Sequence, residues 1–341
     1  MLRGRSKQIR EDSLDHQQTV ASPARVTGIG LHTGVPVTVR LAPAPANCGI
    51  VFSRSDLDGF EIEALARNVT RVSYATSLMK RGVLISTTEH LLSALAASGV
   101  DNVRVEIDNL EVPIMDGSAL PFVRMIAEAG LKRQRAVRRY ARILKPVEVV
   151  DGAKRIAVYP SDRFEISYRI VFPHPLIGEQ GLKFAPSPGN RGDGVGYAAQ
   201  IAPARTFGFA EEVEMLRQNG LVRGGSLENA VVLTREGVMN PEGLRFADEF
   251  CRHKILDLIG DLVMLGHPLI GHVVADRAGH ALHYALVSQL LRDRSAWTLS
   301  TIPAAAPDPA TAADFRGRES EGARTAEAPV VALGGRVAAA R

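Results

Sequence analysis

Two short stretches of this sequence carry residue types that can act together chemically. In the first, Ser86-Thr87-Thr88-Glu89-His90 opens an apolar pattern through Leu91, Leu92, Leu95 and Ala96. Ser86 with Glu89 three positions on is a capping box, in which the carboxylate satisfies a free backbone N–H at a helix start. His90 gives the same residues a second meaning, because an imidazole next to a carboxylate is also how a metal ligand and its neighbouring base are presented. In the second, Asp248 to Leu265, helical spacing sets Glu249, His253, Asp257 and Asp261 in one stripe, and the later part of the segment is otherwise apolar. Such a helix is buried on most of its circumference, and a buried line of carboxylates is costly unless a cation compensates. Lys254 or Arg252 could supply that charge as an ion-pair network, and so could a divalent metal. His253 and Asp257, four residues apart, can reach one ion, as His pairs do in helical zinc sites. A third ligand must come from elsewhere. His90 is the best candidate, leaving a fourth position for water in the open arrangement of a catalytic zinc centre.

The remaining candidates are weaker. His280, between a strand pattern and a helix pattern, could donate a proton into a cleft or be an ordinary surface residue. His267, His272 and His283 show no partner in the sequence and are read as structural. Cys251, two positions from His253, points to a different helix face. Gly28-Ile29-Gly30-Leu31-His32-Thr33-Gly34 looks like a phosphate loop, but Pro36 and the alternating Val35, Val37 and Val39 that follow are strand chemistry, so a dinucleotide fingerprint is rejected.

The elements that must hold these residues follow from periodicity. Residues 35–41 and 102–107 alternate as strands, and Thr88 to Ser98 and Ala119 to Ala129 are helical. The order then repeats loosely: strands near 141–150, 155–159 and 165–171, a strong helix over 246–265, a strand over 270–276 and a helix over 279–292. The expected fold class is therefore α+β, with two similar two-layer sandwich domains. The expected organisation is a frayed N-terminus over 1–16, a first domain over 17–131, and a basic linker opening the second half over 132–145. A second domain over 146–302 follows, with an insert at about 206–235, and then a disordered tail over 303–341. The Gly-rich Pro186 to Gly196 is expected to be a mobile loop.

Composition sets the outer bounds. The 341 residues are 45% hydrophobic, which excludes disorder throughout. No apolar run reaches membrane-span length and the start lacks a secretory h-region, so a cytoplasmic protein with no transmembrane segment is expected. Cys48 and Cys251 make no disulfide framework. The 41 Lys and Arg barely exceed the 37 Asp and Glu, and the excess gathers at Lys132, Arg133, Arg135, Arg138, Arg139, Arg142 and Lys145. That run is read as an exposed linker, with an anion-binding strip as the sharper alternative. Only Tyr140 offers a stacking ring there, which argues against a nucleic-acid partner.

Taken together, residues 27–34, 86–91, 113–119, 204–209, 224–226 and 249–261, in this order and spacing, closely resemble the UDP-3-O-acyl-N-acetylglucosamine deacetylases, from about residue 17 to about 300. The family is the zinc amidase of lipid A synthesis. The resemblance implies two α+β sandwich domains, each with an inserted subregion, and the active site between them. It implies metal ligands at His90, His253 and Asp257, a general base at Glu89 and a second catalytic histidine at His280. It further implies an oxyanion-stabilising Thr206 with Phe207 beside it, Lys254 near the substrate and Asp261 beside the catalytic histidine. The insert at 206–235 corresponds to the family's acyl-chain passage. The implied cofactor is one Zn2+, with Fe2+ accepting the same ligands; the implied partner is a UDP-linked acylated amino sugar, and the implied state a monomer. Two other functions fit the residues less fully: hydrolysis of a different N-acyl amide, and nucleic-acid binding through the basic run.

Overall fold

In Pro36–Pro43, Val37, Val39 and Leu41 face inward and are buried, while Thr38 and Arg40 alternate outward. The neighbouring Val103–Ile107 repeats the pattern, and the antiparallel register puts Val39 opposite Ile107 and Leu41 opposite Val105, so both apolar rows fall on one face. The structure, a computed structural model, describes residues 14–186 and 194–302. These two strands are the centre of a five-stranded sheet in the order Ala24–Ile29, Pro36–Pro43, Val103–Ile107, Ile50–Arg54 and Phe60–Glu63. A seven-stranded sheet lies in the second half. Its central strand, Leu269–Asp276, runs antiparallel to Lys154–Tyr159 and parallel to Phe164–Val171 and Tyr140–Ile143.

Six helices are present among the described residues: α1 (Glu89–Ala97), α2 (Leu120–Ala129), α3 (Gly194–Gln200), α4 (Ala210–Gln218), α5 (Glu249–Leu262) and α6 (His280–Arg292). The architecture is α+β. Helix α2 carries Pro121 in its first turn and stops at Gly130, whose φ of 66° only glycine adopts cheaply. Helix α5 is buried nearly all round and runs on through a short 3-10 turn to Gly266. Two smaller units hang from the halves. One is the antiparallel three-stranded sheet Val69–Arg71, Ser77–Lys80 and Val83–Ile85; the other joins Phe207–Phe209 to the parallel strand Val231–Leu233 across α4. The second unit spans residues 207–233. None of the six helices is long and apolar enough to cross a membrane.

Four expectations change. Residues 14–16 are not frayed: Asp15 is buried, and His16 begins a strand, His16–Val20, paired with Leu131–Val137. The run 132–145 is not a linker, because most of it pairs in the strands Leu131–Val137 and Tyr140–Ile143, although Lys132, Arg133, Arg135, Arg139 and Lys145 remain exposed. Arg138 turns inward to Asp101 at 2.7 Å and Tyr140 donates to Asp15, so one cation of the supposed anion strip and the ring of that stretch are spent in the interior. The strand expected over 141–150 is two, Tyr140–Ile143 and Val147–Asp151, interrupted at Pro146, which lacks the N–H a ladder needs. Gly194 to Gly196 open α3 rather than ending a loop; residues 187–193, like 1–13 and 303–341, lie outside the described residues.

Candidate active site

Three helices bring the chemistry together. The closest approach is between α1 and α5, where a Cβ on Gly260 would stand 2.1 Å from the Glu89 carbonyl oxygen. The missing side chain lets the two helices touch through backbone, which places the first turn of α1 against the C-terminal part of α5. Thr87, just before α1, holds a left-handed φ of 58° that a β-branched residue adopts only under constraint; its hydroxyl donates to Glu111 at 3.0 Å.

The expected capping box does not form. Glu89 Oε2 instead accepts the Thr76 backbone N–H at 3.0 Å, and the Ser86 N–H goes to the Leu110 carbonyl. Burial pushes the Glu89 carboxyl up to about 7; His280 opposes the shift, and Asp257 and Asp261 add to it.

His90, His253 and Asp257 are buried and offer ligand atoms that all lie within 4.8 Å of one another. Asp257 Oδ1 is 3.4 Å from His253 Nε2 and 3.7 Å from His90 Nε2, and the two rings meet edge to face at 4.9 Å. Ligands held about 2.0–2.2 Å from a tetrahedral ion stand roughly 3.4 Å apart, so the spacing fits a metal. The protonation states fit too. Burial drives His90 down to about 3 and His253 below its ordinary value, leaving both imidazoles neutral. His253 Nδ1 donates to the Ala204 carbonyl at 3.1 Å, which turns the Nε2 lone pair toward Asp257. Buried His90 Nδ1 has no hydrogen-bond partner. Burial opposes charge on Asp257, but Lys254 and then His253 outweigh it and hold the carboxyl well below the usual range. Two neutral nitrogens and one carboxylate are a donor set for a divalent cation.

The competing ion pair is also realised, on the other oxygen. Lys254 Nζ lies 2.7 Å from Asp257 Oδ2, leaving Oδ1 to the histidines. The half-buried Lys254 ammonium also sits 5.7 Å from the Phe207 ring centroid, and that ring is 6.4 Å from His253. Thr206, next in the chain, is fixed through its backbone: its N–H donates to Gly117 and its carbonyl accepts from Val231, each at 2.8 Å.

Asp261, one turn beyond Asp257, is the hub of a second group. Its Oδ2 accepts from His280 Nδ1 at 2.7 Å and His283 Nδ1 at 2.8 Å, and its Oδ1 from the Thr76 hydroxyl at 2.6 Å. Burial disfavours the Asp261 anion, but His280 more than compensates and the carboxyl falls to about 2. Burial likewise disfavours the His280 cation, but Asp261 and Asp257 overcome it and push the imidazole up to about 9. His280 Nε2 is 3.8 Å from Asp257 Oδ2, so a protonated imidazole stands beside the ligand cluster, on the side of Glu89 and Asp261.

One member of the sequence stripe is elsewhere. Glu249 is fully buried against Arg205, Nε to Oε1 at 2.9 Å, and that guanidinium also reaches Glu242. Two participants were not singled out from the sequence. Thr76 lies in a segment without periodicity, and His283 was weighed alone although it stands one turn from His280 on the same helix face.

With this geometry in place, the relatives are informative. The UDP-3-O-acyl N-acetylglycosamine deacetylase family matches residues 17–292. A deacetylase of that name from Solibacter usitatus is 54% identical over 285 residues, covering 84% of this chain and 94% of the relative. Those of a Geobacter species and of Myxococcus xanthus are each 49% identical, over 83% of this chain and 91% and 89% of their own lengths.

Proposed function

The chain belongs to the UDP-3-O-acyl-N-acetylglucosamine deacetylase family, and on that premise we propose that it hydrolyses the N-acetyl group of a UDP-3-O-(3-hydroxyacyl)-N-acetylglucosamine. Acetate is released and the 2-amine freed, the committed step of lipid A synthesis as the family resemblance implies it. The observation that carries this reading is the buried cluster of His90, His253 and Asp257 with Glu89 and His280 beside it.

The family implies a catalytic metal, and we propose Zn2+ held by His90, His253 and Asp257, a ligand set that Fe2+ also accepts. Once bound it supplies Lewis acidity, polarising the amide carbonyl and making a water acidic enough to react near neutral pH. Glu89, with its acidity set near neutrality, takes the proton from the attacking water as its oxygen reaches the carbonyl carbon. The Thr206 hydroxyl donates to the oxygen that gains negative charge, a contact of the kind worth about 3 kcal/mol in other enzymes. His280, kept protonated by Asp261, gives its proton to the departing nitrogen as the C–N bond breaks. We assign Lys254 and Phe207 to the substrate side, a reading supported by the partly exposed ammonium lying over the ring. A cytoplasmic monomer completes the proposal, on the strength of the family.

The test is acetate release. Purified protein should free one acetate and one primary amine per UDP-3-O-acyl-N-acetylglucosamine, with UDP-N-acetylglucosamine competing and free N-acetylglucosamine not competing. Equal competition by the free sugar would move the assignment to a hydrolase of some other N-acyl amide.

A further inference from the structure

Among the buried ionisable groups of the described residues that this chemistry leaves idle, His283 touches it directly. It stands one turn after His280 on α6, has no exposed surface, and points the same way, with ring centroids 5.9 Å apart. Its Nδ1 lies 2.8 Å from Asp261 Oδ2, the oxygen that also receives His280 Nδ1 at 2.7 Å. A carboxylate only accepts, so both nitrogens carry hydrogen and donate. The Thr76 hydroxyl fills Oδ1 at 2.6 Å. With three donors from two separate parts of the chain, the carboxylate has one orientation. On its far side the His283 ring is itself held, because Nε2 is 2.9 Å from the Tyr168 hydroxyl and that hydroxyl is 2.9 Å from the Ala278 carbonyl, at the turn that starts α6.

We infer that His283 is a positioning residue for the proton donor: its Nδ1–H locks Asp261, and Asp261 in turn aims His280 Nε2 at the reacting centre. The inference deepens the proposed function and rests on it. His283 reaches no reacting atom itself. Its contribution is orientation, which matters steeply because catalysis by a positioned acid depends on geometry held to within an ångström. Removing the donor frees one lone pair of Asp261 Oδ2, allows the carboxylate to turn toward Thr76, and lets the His280 ring follow it.

Asparagine and glutamine separate the two ends of the ring. The Asn amide nitrogen occupies the place of Nδ1 and can donate to Asp261; the Gln amide reaches the place of Nε2 and the Tyr168 side instead. In the metal-loaded enzyme, kcat and KM for acetate release are measured for His283→Asn, His283→Gln and His283→Leu, with metal content and melting temperature beside them. The expected result is kcat within about threefold of the parent for the Asn variant and lowered about 10- to 100-fold for Gln and Leu, with KM and metal content unchanged throughout. If the Leu variant does not fold, the Asn and Gln pair decides. A spectroscopic reading in the metal-free protein is independent of turnover: the His280 Nδ1–H resonance should shift in the Gln and Leu variants and return in Asn. A folded Gln or Leu variant with parental kcat, or an Asn variant as slow as Gln, overturns the inference. A parent enzyme that releases no acetate refutes the proposed function instead, and the His280 resonance then still decides the role of His283.

Discussion

Replacing Gly260 by alanine adds one methyl group at the point where α1 and α5 touch, and the two physical effects have opposite signs. Away from contacts, Gly→Ala inside a helix stabilises by about 1 kcal/mol, because the unfolded chain has less freedom to lose. Here the new Cβ would meet the Glu89 carbonyl oxygen at 2.1 Å and the Glu89 carbonyl carbon at 2.9 Å. Ordinary contact begins near 3.4 Å, so the helices must part by about 1.3 Å or tilt by an equivalent amount. The obstruction is backbone on a helix, which cannot step aside as a side chain end would. Overpacking of this kind costs about 1–3 kcal/mol or more, so the net effect is a loss of stability. The functional loss is larger. His90 and Glu89 ride on α1 while His253, Asp257 and Asp261 ride on α5, so separating the helices opens the His90–His253–Asp257 cluster and withdraws the proposed base; a displacement of about 1 Å costs on the order of 100-fold in rate. Thermal melting, metal content and acetate release on Gly260→Ala give the answer together. A variant that melts higher than the parent and keeps its kcat would show that α1 and α5 do not meet as described.

Three further outcomes follow from the same geometry. Glu89→Ala should retain its metal while turnover falls about 10²–10⁴-fold, whereas Asp257→Ala should lose the metal, both read by metal analysis and acetate release; normal turnover in Glu89→Ala refutes the base. As the proposed base Glu89 must be ionised and as the proposed donor His280 must be protonated, so kcat/KM should rise through a limit near 7 and fall beyond one near 9, a bound dication drawing both downward; a rate with no alkaline fall refutes the donor. Glu249→Leu leaves Arg205 charged and buried without its main partner, and should cost about 3–5 kcal/mol in denaturant unfolding with metal content unchanged; a loss of metal instead would place Glu249 in the centre rather than beside it.

Spacing alone gives the part of this site that one helix carries; Glu89 and His90, on another helix, enter through residue type and because a third ligand is needed. A period of 3.6 residues projects His253, Asp257 and Asp261 onto a common face, and the cost of burying them calls for positive charge nearby. What compensates each carboxylate is set by tertiary contacts that no spacing rule encodes: Arg205 against Glu249, Lys254 and the two histidines against Asp257, Thr76 and the α6 histidines against Asp261. The stripe was therefore legible and its division was not. The basic run 132–145 misled for the same reason, since charge in sequence does not reveal that Arg138 finds Asp101 inside the protein. A signal for the helix contact was present in Gly260, because a glycine deep in an otherwise strong helix costs about 1 kcal/mol and needs a packing reason. Helices and inward strand rows fall close to where periodicity puts them. The edge strands, whose exposed faces are polar and mixed, do not announce themselves.

The proposed catalysis depends on one ion held by His90, His253 and Asp257, and the most direct measurement is stoichiometric reconstitution. Protein stripped by chelator and titrated with zinc should be inactive at the start, gain acetate-releasing activity in proportion to added metal, and level off at about one equivalent per chain. Full activity in rigorously metal-free protein, or a plateau unchanged by Asp257→Ala, would contradict it.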